Sequence, residues 1–183
     1  MAHESGTNNI TLWHQKLRPK LIVFDLDDTL WLYTLEYDTH PPFRLQNGTV
    51  FDAKGKAIHP FPEVSAILKF LNQHKFRIAI ASRCSIRPSA EQLIGLLGWT
   101  DYFQHLEMYS KPKTEHFSEL HVVTKIPFED MLFFDDDKGN INTVSKLGVT
   151  CIHVDDREGV TWQNLQEGFN AFAEKKNKAN KCR

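Results

Sequence analysis

The sequence predicts an α/β domain: a doubly wound, mainly parallel sheet of about five strands, with helices on both faces and a small β-hairpin flap. Three observations predict it. Short apolar runs alternate with stretches of helical period. Four of the five runs carry few polar residues inside, as strands covered on both faces must. Three runs finish in a carboxylate or hydroxyl, which places reactive groups on the rim of the sheet where open α/β folds bind ligands.

In chain order, "KLIVFD", "FRIAIAS", "QHLEMY", "MLFFDD" and "VTCIHV" are the expected strands. Helices are expected over Pro62–His74, with proline in the first turn and Val64, Ile67, Leu68 and Leu71 on one face, and over Pro88–Leu97. Three more are expected over Thr114–Lys125, Gly139–Leu147 and Thr161–Lys175. Thr161 suits an N-cap, and Gly98 and Gly148 stand where helices stop. Residues 31–61 have no helical period, but Asn47-Gly48 is a hairpin-turn signal, so this stretch is expected to form a flap of extended loop and hairpin after the first strand. Residues 20–175 then form a single domain. Residues 1–19 are expected to be a loose leader, with Leu12 and Trp13 as docking points, and 176–183 a fraying basic tail.

Composition narrows the function. A net charge of −1 over 183 residues lacks the basic excess of a nucleic-acid binder. No apolar run has membrane-spanning length, and the start of the chain has no continuous apolar core of a secretory signal. Cys84, Cys151 and Cys182 make neither a paired framework nor a metal cluster, which fits a reducing, cytoplasmic setting.

The segment "LIVFDLDDTLW" drives an apolar run into three acids. Asp25 ends the first strand, Ser82 the second, and Asp135 and Asp136 a later one; Lys113 opens a helix on the same rim. Like charges 4 Å apart repel by about 4 kcal/mol at an effective dielectric of 20, so an ionised rim of Asp25, Asp27 and Asp136 needs a cation. Oxygen-only ligation selects a hard ion, and Mg²⁺ suits a site that keeps waters and meets a phosphate. If the chain stays extended, Asp25 and Asp27 point the same way about 6–7 Å apart, leaving room for a reacting group.

"DLDDT" at 25–29, "ASR" at 81–83, Lys113 and "FFDDD" at 133–137 resemble, in order and at compatible spacing, the four motifs of the haloacid dehalogenase superfamily of aspartate-nucleophile phosphatases. The resemblance runs from about Lys20 to Glu174. It implies Asp25 as nucleophile and Asp27 as acid and base. It also implies Ser82, Arg83 and Lys113 around the phosphoryl oxygens, and Mg²⁺ on the Asp25 carboxylate, the Asp27 backbone carbonyl and Asp136, with Asp135 as ligand or supporting partner. Asp27 must hold a proton in the free site, so its pKa should be raised by its neighbours. The implied substrates are a phosphorylated protein, at phosphotyrosine, or a small phosphosugar, including phosphorylated fructosamines; the expected state is a monomer.

Other readings compete. A receiver-like phosphoacceptor also uses acids, Mg²⁺ and an aspartyl-phosphate, but places two adjacent acids at the end of strand one, where this chain has D-x-D. Cys84 lacks the arginine of a cysteine phosphatase loop, its position being Ala90, so it is expected to be a buried small side chain. Lys113 alone reads as a solvated lysine. His116 and His121, five positions apart, are expected at the surface. Trp31, Tyr33, Tyr37 and Phe43 suit either a substrate mouth or packing. Asp137 is the expected N-cap of the following helix.

Overall fold

Strand β1 (Leu21–Phe24) is central in the computed structural model, which describes residues 17–181. Leu12, Trp13, Cys182 and the last residue of the basic tail lie outside the described residues. After β1 come α1 (Leu35–Asp38), β2 (Arg44–Gln46), β3 (Thr49–Phe51), β4 (Ala57–Ile58), α2 (Val64–Gln73), β5 (Ile78–Ser82) and α3 (Arg87–Leu96). They are followed by β6 (His105–Met108), α4 (Lys113–Thr124), β7 (Met131–Asp135), α5 (Lys138–Ser145), β8 (Thr150–His153) and α6 (Trp162–Lys181).

The main sheet has the order β6-β5-β1-β7-β8 and is parallel throughout, as the apolar runs predict. The chain builds outward from β1 through β5 to β6, then crosses to β7 and β8 on the other side. The connections therefore diverge between β1 and β7, which opens a crevice at their carboxyl ends. Strand alternation supplies two cores. Leu21, Val23, Met131 and Phe133 pack with Phe117 and Leu120 of α4 and Val144 of α5. Ile22, Phe24, Leu132 and Phe134 face α2, α3 and α6 on the other side, where Phe24 stacks on Phe134 at 5.1 Å.

Helix ends follow the expected signals. Thr161 caps α6, its Oγ1 accepting from Asn164 N at 3.2 Å, and Asp137 caps α5, accepting from Gly139 N and Asn140 N. Gly98 and Gly148 take positive φ just past their helices. Helix α6 departs from expectation by continuing beyond Lys175 to Lys181. Its lysines are anchors as well as solubilising charges: Lys175 Nζ donates to Gly148 O at 2.7 Å, Lys176 pairs with Asp130, and Lys178 and Lys181 lie at the negative end of the helix dipole.

The flap holds the predicted hairpin, with β2 and β3 antiparallel around Asn47-Gly48, both at positive φ. It also contains elements the sequence did not signal. β4 adds a third strand, and α1 is one helical turn, too short to show a period. Asp52 organises the β3–β4 turn by accepting from the backbone N–H groups of His40, Lys54 and Lys56. Core packing of Trp31, Phe43, Val50 and Phe61 ties the flap to the domain, and hydrogen bonds add to it. Phe43 exchanges hydrogen bonds with the Gln92 amide of α3, and Glu36 Oε1 accepts from Ser85 N at 2.5 Å. No helix among the described residues is long and apolar enough to cross a membrane.

α6 approaches the sheet closely at Gly168. A Cβ there would lie 2.9 Å from Phe134 Cζ and 3.1 Å from Leu132 Cδ1. Phe134 is stacked and fully buried, so it cannot yield cheaply. Alanine gains up to about 1 kcal/mol of helix propensity, whereas overpacking a core costs about 1–3 kcal/mol. Gly168→Ala is therefore expected to lower stability in urea unfolding.

Candidate active site

Continuation of the β1–β7 ladder fixes the first acid: Asp25 N donates to Phe134 O at 3.0 Å, which sets Asp25 beside the end of β7. The chain then turns. Thr29 N and Leu30 N both donate to Leu26 O, and Asp28 takes a left-handed φ of 54°. Extension thus ends at once, and the tight turn brings Thr29 under Asp136, to which its hydroxyl donates at 3.3 Å.

Lys113, the first residue of α4, reaches beneath this rim. Its side chain is 0% exposed, so it is no solvated lysine; Nζ lies 2.6 Å from Asp25 Oδ1 and 3.1 Å from Asp135 Oδ2 and donates to Ala81 O at 2.5 Å. The contact with Asp25 is an ion pair without hydrogen-bond geometry, leaving Oδ1 a buried oxygen that accepts no hydrogen bond. One ligand oxygen from each of Asp25, Asp135 and Asp136 falls within 4.8 Å of the others. An all-oxygen, anionic donor set with an unsatisfied buried oxygen fits a hard divalent cation.

The charges register this crowding. Burial, then the charge of Asp25, pushes Asp135 up to about 7 and Asp136 up to about 6. Asp135 is held by Asp137 N at 2.8 Å and by the Asn140 amide at 3.1 Å to both oxygens. Asp27 stands apart from the acidic trio. Trp31 Nε1 donates to its Oδ1 at 2.8 Å, and Trp31 is itself stacked on Trp99. Its carboxyl is raised to about 7, chiefly by burial; the Trp31 hydrogen bond opposes this, and the charge of Asp25 adds to it. The expected upward shift is present, but burial rather than neighbouring charge dominates it.

Asp25, Asp27, Ser82, Arg83 and Asp136 line one cleft of about 390 Å³, with Lys113 and Asp135 behind. Ser82 is buried and its Oγ accepts from Cys84 N at 3.2 Å, while Arg83 is exposed at the mouth. Cys84 is buried, and burial pushes its thiol up to about 11, which suits a packed side chain and not a nucleophile. Of the aromatic candidates, Trp31 and Phe43 are core, Tyr33 is half-buried against Lys56, and Tyr37, 80% exposed, stands at the rim. His121 is exposed as expected, but His116 is fully buried, which corrects its placement at the surface. Thr29, Glu36 and Asn140 were not singled out from sequence. Thr29 closes the "DLDDT" motif and Asn140 follows the Asp137 cap by three residues, so each had a local signal; Glu36 had none.

Fold and site together define a hydrolase domain of the haloacid dehalogenase superfamily. Solved structures carry the same fold. A haloacid dehalogenase superfamily hydrolase of Ehrlichia chaffeensis matches 86% of this chain and 97% of its own at a TM-score of 0.60 and 14% identity. The N-terminal part of a Bacteroides fragilis protein, containing a phosphatase domain complexed with Mg, covers 83% of this chain and 40% of its own at a TM-score of 0.60 and 18% identity. The chain belongs to the acid phosphatase family, whose model matches residues 17–175. It is 45% identical over 156 residues to human magnesium-dependent phosphatase 1, covering 85% of this chain and 88% of that protein. It is also 31% identical over 144 residues to a HAD-like hydrolase superfamily protein of Schizosaccharomyces pombe, covering 72% of this chain and 83% of that protein.

The raised acids make stability depend on pH. Asp27 and Asp135 keep protons in the folded protein that the unfolded chain, with carboxyls near 3.8, has already released. Stability therefore falls as pH rises through about 7. Asp52 and Asp130, held low, act below this window, and half-buried His105 and buried His116 lie below their usual 6.5. In EDTA the unfolding free energy measured in urea is expected to drop between pH 6.5 and 8, by on the order of 1 kcal/mol. A divalent cation should remove the drop.

Proposed function

We propose that the chain is a Mg²⁺-dependent phosphomonoester hydrolase working through an aspartyl-phosphate on Asp25. The observation that carries this reading is the buried Lys113, which joins Asp25 to Asp135 behind a cleft lined by Asp27, Ser82 and Asp136. Such an arrangement suits transfer of an anionic group to a carboxylate, where charge balance is the main difficulty. The name of the human relative and the Mg in the Bacteroides domain support the choice of ion.

In the first step an Asp25 oxygen attacks phosphorus and the ester P–O bond breaks. Asp27, protonated up to about pH 7, gives its proton to the departing oxygen. In the second, water attacks the phosphorus of the aspartyl-phosphate, Asp27 takes the water's proton, and phosphate leaves with Asp25 restored. Ser82 and Arg83 hold the phosphoryl oxygens, and Lys113 behind Asp25 balances the charge of nucleophile and phosphate together. The Asp25 and Asp136 carboxylates and the Asp27 carbonyl would hold Mg²⁺, with Asp135 bracing them; bound there, the ion offsets repulsion between phosphate and carboxylates.

The cleft lies open beside the flap, and among the described residues no large second insertion covers it. We assign it protein phosphotyrosine or small phosphosugars, fructosamine 6-phosphates among them. The enzyme is taken to act as a monomer in the cytoplasm, where free Cys84 and Cys151 stay reduced.

Asp25→Asn is expected to cut turnover roughly 10⁴-fold or more while circular dichroism stays native; appreciable residual hydrolysis would remove the nucleophile assignment. EDTA should stop hydrolysis and Mg²⁺ restore it, and metal-independent turnover would contradict the site. Rates on phosphotyrosine peptides, sugar phosphates and fructosamine phosphates separate the substrates. A long-lived phosphoprotein by intact mass, without phosphate release, would favour the phosphoacceptor.

A further inference from the structure

His116 is a buried titratable side chain that the proposed chemistry does not use. Its Nε2 lies 2.9 Å from Ser82 O and 3.0 Å from Tyr109 O, its Nδ1 lies 3.1 Å from Pro112 O, and its ring stacks on Tyr109 at 4.1 Å, within 6° of parallel. All three partners are carbonyl oxygens, which can only accept. Burial outweighs the opposing hydrogen bond to Pro112 O and, with the charge of Lys113 adding to it, holds the imidazole below its usual range, and a neutral ring has one N–H to give. The nitrogen facing two carbonyls is the one that gains most by carrying it. We infer that His116 is a positioning residue of this site: its Nε2–H binds the carbonyls of Ser82 and Tyr109 to the first turns of α4, and so sets Ser82 and Lys113 in register around the phosphoryl group.

The contacts point one way. The β5–β6 ladder runs out at this point, with Tyr109 N donating to Ser82 O at 3.1 Å, and the His116 N–H extends it from outside the sheet. Three residues earlier on the same helix, Lys113 donates to Ala81 O. Consecutive carbonyls at the end of β5 are thus each bound from α4, one by the side chain that touches Asp25 and one by the imidazole. An apolar ring could fill the space but would let α4 shift along the end of the strand. A displacement of about 1 Å can cost on the order of 10²-fold in rate.

The inference rests on the phosphatase reading of the cleft, and the test separates the two. Wild type, H116F and H116Q are compared for para-nitrophenyl phosphate hydrolysis with Mg²⁺ and, by calorimetry, for inorganic phosphate affinity, with folding followed by circular dichroism. H116F is expected to lose about 10- to 100-fold in kcat/KM and to bind phosphate more weakly. H116Q, whose amide N–H can reach the same carbonyls, should recover most of both. Wild-type behaviour of H116F, or equal defects in H116F and H116Q, overturns the positioning role; if H116F does not fold, H116M takes its place in the comparison. ¹⁵N spectra of the wild-type ring should put the hydrogen on Nε2, and a hydrogen on Nδ1 overturns the inference without any variant. An inactive wild type would instead sink the proposed function, while phosphate affinity still reads the variants.

Discussion

Lys113 Nζ lies within 3.1 Å of carboxylates from two different strands while its side chain is wholly out of water, and the carboxyl end of the sheet is organised around that contact. Desolvating an ammonium costs several kcal/mol, which only close counter-charges and a further acceptor can offset. Asp25, Asp135 and Ala81 O supply them. Breaking such a pair from one side costs about 3–5 kcal/mol, because the remaining charge stays buried. One cation is still too few for three acids, and the Asp135 and Asp136 carboxyls are raised by burial first and by the charge of Asp25 second.

The topology makes that crowding possible. β1 and β7 are neighbours although more than a hundred residues separate them, and their register places Asp25 and Asp135 side by side at the divergence of the connections. α4 then enters with its first residue aimed at the same point. The apolar strands are the rigid support: because they pack on both faces, their ends can hold like charges close without spreading.

Much of this was legible in the sequence. The five strands show as apolar runs, since full burial leaves no alternation to decode, and the acids stand at their ends. Lys113 shows only by resemblance to a motif, because a lysine opening a helix carries no local sign of being buried. The same limit hid His116: five-residue spacing from His121 correctly denied a shared face but said nothing about which of the two turned inward. α1 and β4 are shorter than any period, and the length of α6 depends on partners for Lys175 and Lys176 that lie far away in sequence. What depends on long-range contact was hidden; what depends on local pattern was not.

The Glu36–Ser85 hydrogen bond runs from the flap to the loop just after Ser82 and Arg83, and Gln92 clasps Phe43 nearby. The flap is consequently anchored directly to the segment that carries Ser82 and Arg83. A change in the flap's position would therefore be felt at the rim of the cleft, where Tyr37 stands exposed.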